Sequence, residues 1–300
     1  MVELNTNGSY AKVFRGFLVV VKGGEELGKA VLDEMNCLIM TGQQHVLSKP
    51  LIVRLAQENI PIIICGDNYH PISIMLPYGH HHQFQKIVHA QIAASKVQRK
   101  RMWQQLVQLK IVNQYKVLQS STGKGFHPKS MHLNRLAQSV LSGDPDNKEA
   151  QAARVYWQAL MGNEFRRKPD GHDLKNAALN YGYTILRAAC ARAIVGSGLL
   201  PAIGLHHSNH YNSFCLADDL MEVFRPLVDW EVYRLSSTSI DSEVKKTMVR
   251  ILQQDIRVEE KTVSVTSAIQ RLSNSVAASF LNKKTQLVLP SIYERLDMAM

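Results

Sequence analysis

Acidic residues are scarce in this 300-residue chain: 25 Asp and Glu stand against 35 Lys and Arg, for a formal net charge of +10 and a pI near 9.4. That balance fits a polyanionic partner, because neutralising phosphates releases counterions, although a solvated positive surface gives the same count. Cysteines are few as well. Cys37, Cys65, Cys190 and Cys215 form no CxxC pair and show no zinc-ligand spacing, which excludes a disulfide framework and a zinc knuckle and leaves buried thiols in a reducing compartment. Long apolar runs are missing too. Phe17–Val21 ends at Lys22-Gly23-Gly24, too short for a signal-peptide core or a membrane span, so a cytoplasmic protein without a membrane partner is expected. No internal repeat or low-complexity tract occurs, and 45% apolar residues exclude a disordered chain and suffice for two cores.

The texture changes near residue 80. Before it, short runs rich in β-branched residues (Val13-Phe14, Phe17–Val21, Cys37–Met40, Ile60–Cys65, Ile72–Leu76) are bounded by Gly23-Gly24, Gly42 and Gly66, the pattern of strands. One helix interrupts them, with Ser48 as N-cap, Leu51, Leu55 and Ala56 on the buried stripe, and Asn59 ending it. Beyond it the period is helical: about Phe84 to Leu118; Leu133, Leu136, Ala137 and Val140; a helix begun by Asp144-Pro145; Asn176 to Val195, with Ala177, Tyr181, Ile185, Ala188 and Ala189 inward; a helix from Asp218 as N-cap, bent at Pro226; and two more from Val244 and Val265. The expected class is α+β, a small β-rich domain over 1–79 and an essentially all-helical domain over 80–300.

Three separated segments carry materials for a divalent-metal site. Glu149 shares a helix face with Ala152, Ala153 and Tyr156; His207 follows His206 in Gly204-Leu-His-His; Glu222 precedes the proline bend. Carboxylate oxygens suit Mg²⁺ and Mn²⁺, and one imidazole shifts the preference toward Mn²⁺. Solvated glutamates and a polar histidine doublet fit the same spacing, and Asp219 with Glu222 also suits a helix N-terminus. Other features are set aside. His80-His81-His82 has no carboxylate or cysteine nearby and reads as a polar connection; Ser121-Thr-Gly-Lys124-Gly125 lacks the first glycine of a phosphate loop; Trp103, Trp157 and Trp230 read as packing residues.

The ordered set Glu149-x4-Arg154-x-Tyr156, Asn176-Ala-Ala-Leu-Asn-Tyr-Gly-Tyr183, Gly198-Leu-Leu-Pro-Ala-Ile-Gly204-Leu-His206-His207 and Asp219-Leu-Met-Glu222-x-Phe-Arg225-Pro226 resembles CRISPR-associated protein one, the integrase of spacer acquisition, through the whole chain. Gly42-Gln-Gln and Cys65-Gly-Asp-x-Tyr-His-Pro71 resemble its type II branch.

The resemblance implies a β-rich domain joined to a helical catalytic domain, a homodimer formed through the first, and a heterohexamer with a small second adaptation subunit. It implies Glu149, His207 and Glu222 as catalytic metal ligands for Mg²⁺ or Mn²⁺, with His206 as the fallback histidine and Asp219 in support; many relatives carry Asp where Glu222 stands here. The implied reaction is attack by a protospacer 3′-hydroxyl on a phosphodiester of the CRISPR repeat, both partners being double-stranded DNA, with a type II effector nuclease as a further candidate partner. Lys124, Arg154, Arg166 and Arg167 would line the DNA path. A nonenzymatic basic DNA-binding scaffold and a stand-alone repair nuclease are the alternatives.

Overall fold

The computed structural model describes residues 2–35, 37–66, 71–77, 81–122, 127–169, 171, 173–237 and 239–292. The chain divides into two compact units, Met1–His82 and Gln83–Met300.

In the first unit the strands are β1 (Val2–Leu4), β2 (Ser9–Phe14), β3 (Phe17–Lys22), β4 (Glu25–Val31), β5 (Leu38–Met40) and β6 (His45–Leu47), then helix α1 (Lys49–Gln57), β7 (Ile62–Cys65) and β8 (Pro71–Met75). They form two four-stranded sheets, β1-β5-β7-β8 and β4-β3-β2-β6. Two-residue turns join β2 to β3 and β3 to β4. Arg15-Gly16 and Gly23-Gly24 all have positive φ, the conformation whose twist matches the flanking strands of a hairpin. Leu4, Leu18, Leu38 and Ile62 from the sheets meet Leu51 and Leu55 of α1 in one core. Ser48 caps α1, its hydroxyl accepting from the Leu51 amide at 3.3 Å, and Asn59 follows the helix at φ 55°.

The second unit holds α2 (Phe84–Ala93), α3 (Lys96–Ser121), α4 (Ser130–Gln138), α5 (Lys148–Met161), α6 (Leu174–Gly196), α7 (Cys215–Met221), α8 (Arg225–Tyr233), α9 (Ser242–Arg250), β9 (Asp255–Val258), β10 (Lys261–Ser264), α10 (Val265–Asn282) and β11 (Pro290–Ser291). It is helical apart from the small sheet β10-β9-β11, whose short strands carry too few apolar positions to stand out in the sequence. α6 runs through the middle, packed by α7, α8, α9 and α10, with Ala177 and Ala189 only half-buried. Gly182 lets α8 approach closely: a Cβ there would lie 2.5 Å from Val228 Cγ1.

Three local expectations need correction. The segment from Phe84 is two helices, because Ser95 restarts the chain by accepting the Gln98 amide at 3.1 Å. α5 begins three residues beyond Pro145, with Asn147 as N-cap at φ 51°; the Asp144 carboxylate still takes the Lys148 and Glu149 amides at 2.7 and 2.9 Å. Asp218 is not an N-cap but lies in the first turn of α7, where Arg187 holds its two oxygens at 2.7 and 2.9 Å. The break at Pro226 is present. α7 stops at Met221, α8 starts at Arg225, and the Val223 carbonyl freed between them accepts the Asn113 amide from α3 at 2.8 Å.

Candidate metal centre

Glu149 projects from the first turn of α5 and Glu222 from the end of α7, and both reach the same ammonium. Lys110 Nζ, on the buried stripe of α3, lies 2.5 Å from Glu149 Oε1 and 2.5 Å from Glu222 Oε2. Arg225 Nη1 takes the other oxygen of Glu222 at 3.1 Å. Glu222 is only 3% exposed, and its Oε2, though in ionic contact with Lys110, has no partner of hydrogen-bond geometry. Burial alone would raise the Glu222 pKa, but Arg225 and Lys110 outweigh it and hold the carboxyl below its ordinary range. Burial would likewise strip the proton from Lys110, and the two carboxylates reverse that.

The histidine loop is fixed from two sides. Gln91 of α2 donates to the Leu200 and Ile203 carbonyls at 3.0 and 2.8 Å and accepts the Leu200 amide at 2.9 Å. Asp219, fully buried, accepts the amides of Leu205, His206 and His207 at 2.5, 3.2 and 3.2 Å, and His207 Nδ1 at 2.7 Å. Gly204 makes this wrap possible, since a Cβ would stand 2.7 Å from Asp219 Oδ2 and 2.5 Å from the His207 carbonyl oxygen. The bond to Asp219 raises the His207 pKa, with burial opposing and the Asp219 and Glu222 charges assisting. It also orients the ring, leaving Nε2 as the nitrogen not engaged by Asp219, the arrangement by which a carboxylate presents an imidazole to a metal. His206 instead stacks flat on Trp103, ring centres 4.5 Å apart and 4° from parallel. The two histidines of the doublet thus differ in their surroundings: one is tied to a carboxylate, the other to an indole.

Behind Arg225 lies a buried aromatic layer. Its guanidinium sits 4.9 Å from the centre of the Tyr183 ring, and the Tyr183 hydroxyl donates to Asp229. Burial pushes the Asp229 carboxyl up to about 7, against the lowering effect of that hydrogen bond. The Tyr156 hydroxyl is buried and held well above its ordinary pKa by burial and by the Asp229 charge.

Among the described residues, no group of three or more His, Cys, Asp and Glu side chains is arranged to hold a metal ion as it stands. The donor set nevertheless fits a hard cation. Two carboxylates already share one positive charge, and a buried carboxylate oxygen lacks a hydrogen bond. Of the basic positions expected along DNA, Arg154 and Arg166 are exposed, whereas Arg167 is folded inward, donating to Asn176 and Asn180 at 3.1 and 2.6 Å and facing the Tyr183 ring. Lys124, like Asp67–His70 and His80, lies outside the described residues. The sequence reading missed Lys110 and Arg225. Lys110 had a signal: it occupies the apolar stripe formed by Trp103, Leu106, Val107 and Val117.

A β-rich unit is followed by a helical unit in which Glu149 and Glu222 close on the Lys110 ammonium and Asp219 holds His207. The chain belongs to the family described as CRISPR associated protein Cas1, whose model matches residues 2–262. It is 35% identical over 292 residues to the CRISPR-associated endonuclease Cas1 of Neisseria meningitidis serogroup C (strain 8013), a match covering 95% of this chain and 94% of that protein. A second relative, CRISPR-associated endonuclease Cas1 1 of Saccharolobus solfataricus, is 26% identical over 284 residues, covering 90% and 79%. Two solved structures share the fold. A casposase bound to integration product has a TM-score of 0.78 at 20% identity, covering 95% of this chain and 92% of that one. A Cas1 protein from Thermotoga maritima has a TM-score of 0.73 at 18% identity, covering 95% and 98%. No helix among the described residues is long and apolar enough to cross a membrane.

Proposed function

We propose that this protein is a metal-dependent DNA integrase and endonuclease of CRISPR adaptation, joining a protospacer 3′-hydroxyl to a phosphodiester of the repeat. The observation that carries this reading is the convergence of Glu149 and Glu222 on one cation position beside an imidazole oriented by Asp219, in a chain of the Cas1 family. Glu149, Glu222 and His207 Nε2 would hold Mg²⁺ or Mn²⁺. When bound, such a metal supplies Lewis-acid charge that polarises a phosphodiester oxygen and offsets the negative charge gathering there. The protein's own part is positional. Asp219 keeps the His207 ring in one orientation, Arg225 fixes one oxygen of Glu222, and Asn113 holds the chain break that presents it.

Double-stranded DNA as substrate is supported by the net charge of +10 and by the likeness to a casposase bound to integration product. A small second subunit is supported by similarity to a chain of a Cas6-RT-Cas1–Cas2 complex, TM-score 0.72 at 17% identity, covering 98% of this chain and 36% of that one. Pairing of two copies through the first unit, the type II branch and an effector-nuclease partner rest on the family resemblance alone. The test is protospacer joining into a repeat-bearing plasmid by the protein with its small partner and Mn²⁺. Glu149→Ala, His207→Ala and Glu222→Ala are each expected to abolish joining while DNA binding persists. One observation favours a second reading, a nonenzymatic scaffold: Lys110 already neutralises both glutamates as a structural ion pair would. Full joining by the three variants would refute the assignment of the metal centre.

A further inference from the structure

We propose that Lys110 is a displaceable counter-cation, an ammonium that keeps the place between Glu149 and Glu222 and that a divalent metal must expel in order to bind there. The inference rests on the metal-centre reading above. Lysine is almost never buried without a partner, and Lys110 is 7% exposed in the middle of α3, between Val107 and Asn113 on its buried stripe. Its ammonium is centred on the two glutamates, at 2.5 Å from each. Arg225 Nη1 takes Glu222 Oε1, so Lys110 faces the remaining oxygen, the one that has no hydrogen bond.

Charge balance then decides what happens when metal enters. Two carboxylates, Lys110 and Arg225 sum to zero. Asp219 is already engaged by three backbone amides and His207, so a divalent ion added without moving either cation would crowd three positive groups around Glu149 and Glu222, which a low-dielectric site does not tolerate. Arg225 is held against the Tyr183 ring at 4.9 Å, and its planar fork has little freedom. Lys110 is the group able to leave: four flexible methylenes let its ammonium swing away while the stem stays packed in the α3 stripe. The displaced ammonium then serves an anion, and a substrate phosphate has the matching charge. Metal and nucleic acid consequently reinforce each other at this site, with Lys110 passing from carboxylates to phosphate.

Mn²⁺ binding, followed by electron paramagnetic resonance without DNA, tests the idea apart from catalysis. Lys110→Met removes the competitor at similar length, and Lys110→Gln is a second variant should the first fold poorly, as judged by circular dichroism. Both are expected to bind Mn²⁺ about tenfold tighter or more than wild type, because a full charge a few ångströms from the metal is gone. In the wild-type protein, amine acetylation of Lys110, read by peptide mass spectrometry, is expected to increase when Mn²⁺ is added. Unchanged or weaker Mn²⁺ affinity in both variants, or acetylation indifferent to Mn²⁺, overturns the proposal. Wild-type Mn²⁺ binding that Glu149→Gln and Glu222→Gln leave intact overturns the metal-centre reading as well. Binding that those two variants abolish but Lys110→Met does not alter overturns the Lys110 proposal alone.

Discussion

Replacing Asp229 by asparagine should make the helical unit more stable at neutral pH and remove much of the pH dependence of its stability. Asp229 is 1% exposed, and burial moves its carboxyl from an ordinary 3.8 to about 7. Between those values the folded chain keeps a proton that the unfolded chain has released. Stability therefore falls as pH rises through that window and levels off above about 7. One proton corresponds to about 1.4 kcal/mol per pH unit, so roughly 2–3 kcal/mol is lost between about pH 5 and pH 7. The side-chain amide of the Asp229→Asn variant would still accept the Tyr183 hydroxyl and would have no charge to desolvate. All three tryptophans, Trp103, Trp157 and Trp230, belong to the second unit, so tryptophan fluorescence in a urea titration reports that unit alone. On going from pH 5 to pH 7.5 the wild type should lose about 2 kcal/mol more than Asp229→Asn. Equal losses in the two proteins would refute the reasoning, because the titrating group would then lie elsewhere.

Gly204→Ala should cut joining activity strongly and shift the histidine loop, since the new methyl group meets the His207 carbonyl oxygen and Asp219 Oδ2, neither of which has room to yield; a crystal structure with an unmoved loop would contradict this. Ser48→Ala should cost the first unit about 1 kcal/mol through loss of the α1 cap, with local hydrogen exchange rising in α1 and joining unchanged.

The parts of the fold legible in the sequence are those whose burial writes a pattern. β3 and β7 are runs of valine and isoleucine, and α1 announces itself with Ser48 and the stripe of Leu51 and Leu55. β4 was not legible. All but one of its seven residues are exposed, so no apolar alternation marks it, and its pairing with β3 is what makes it a strand. At the centre, Glu149, His207 and Glu222 could be named because their chemistry and motif context are distinctive. Asn113 and Arg225 acquire their roles only from what lies opposite them, Val223 in one case and Glu222 with Tyr183 in the other. Lys110 differs from solvated lysines in the sequence only by its place on an apolar stripe.

The ammonium between the two glutamates also bears on how the protein is made. Lys110 leaves the ribosome early, Glu149 later, and Glu222 with Arg225 only after α6 has been synthesised. Until α7 emerges, α3 carries a charged group on the face it must bury, with half of its neutralising partners not yet translated. The helical unit therefore cannot close progressively from its beginning, and its last packing step waits for contacts distant in sequence. A truncation between α3 and Glu222 should leave the second unit not as a smaller folded body but as a nascent chain with an exposed apolar stripe, the kind of species that chaperones hold.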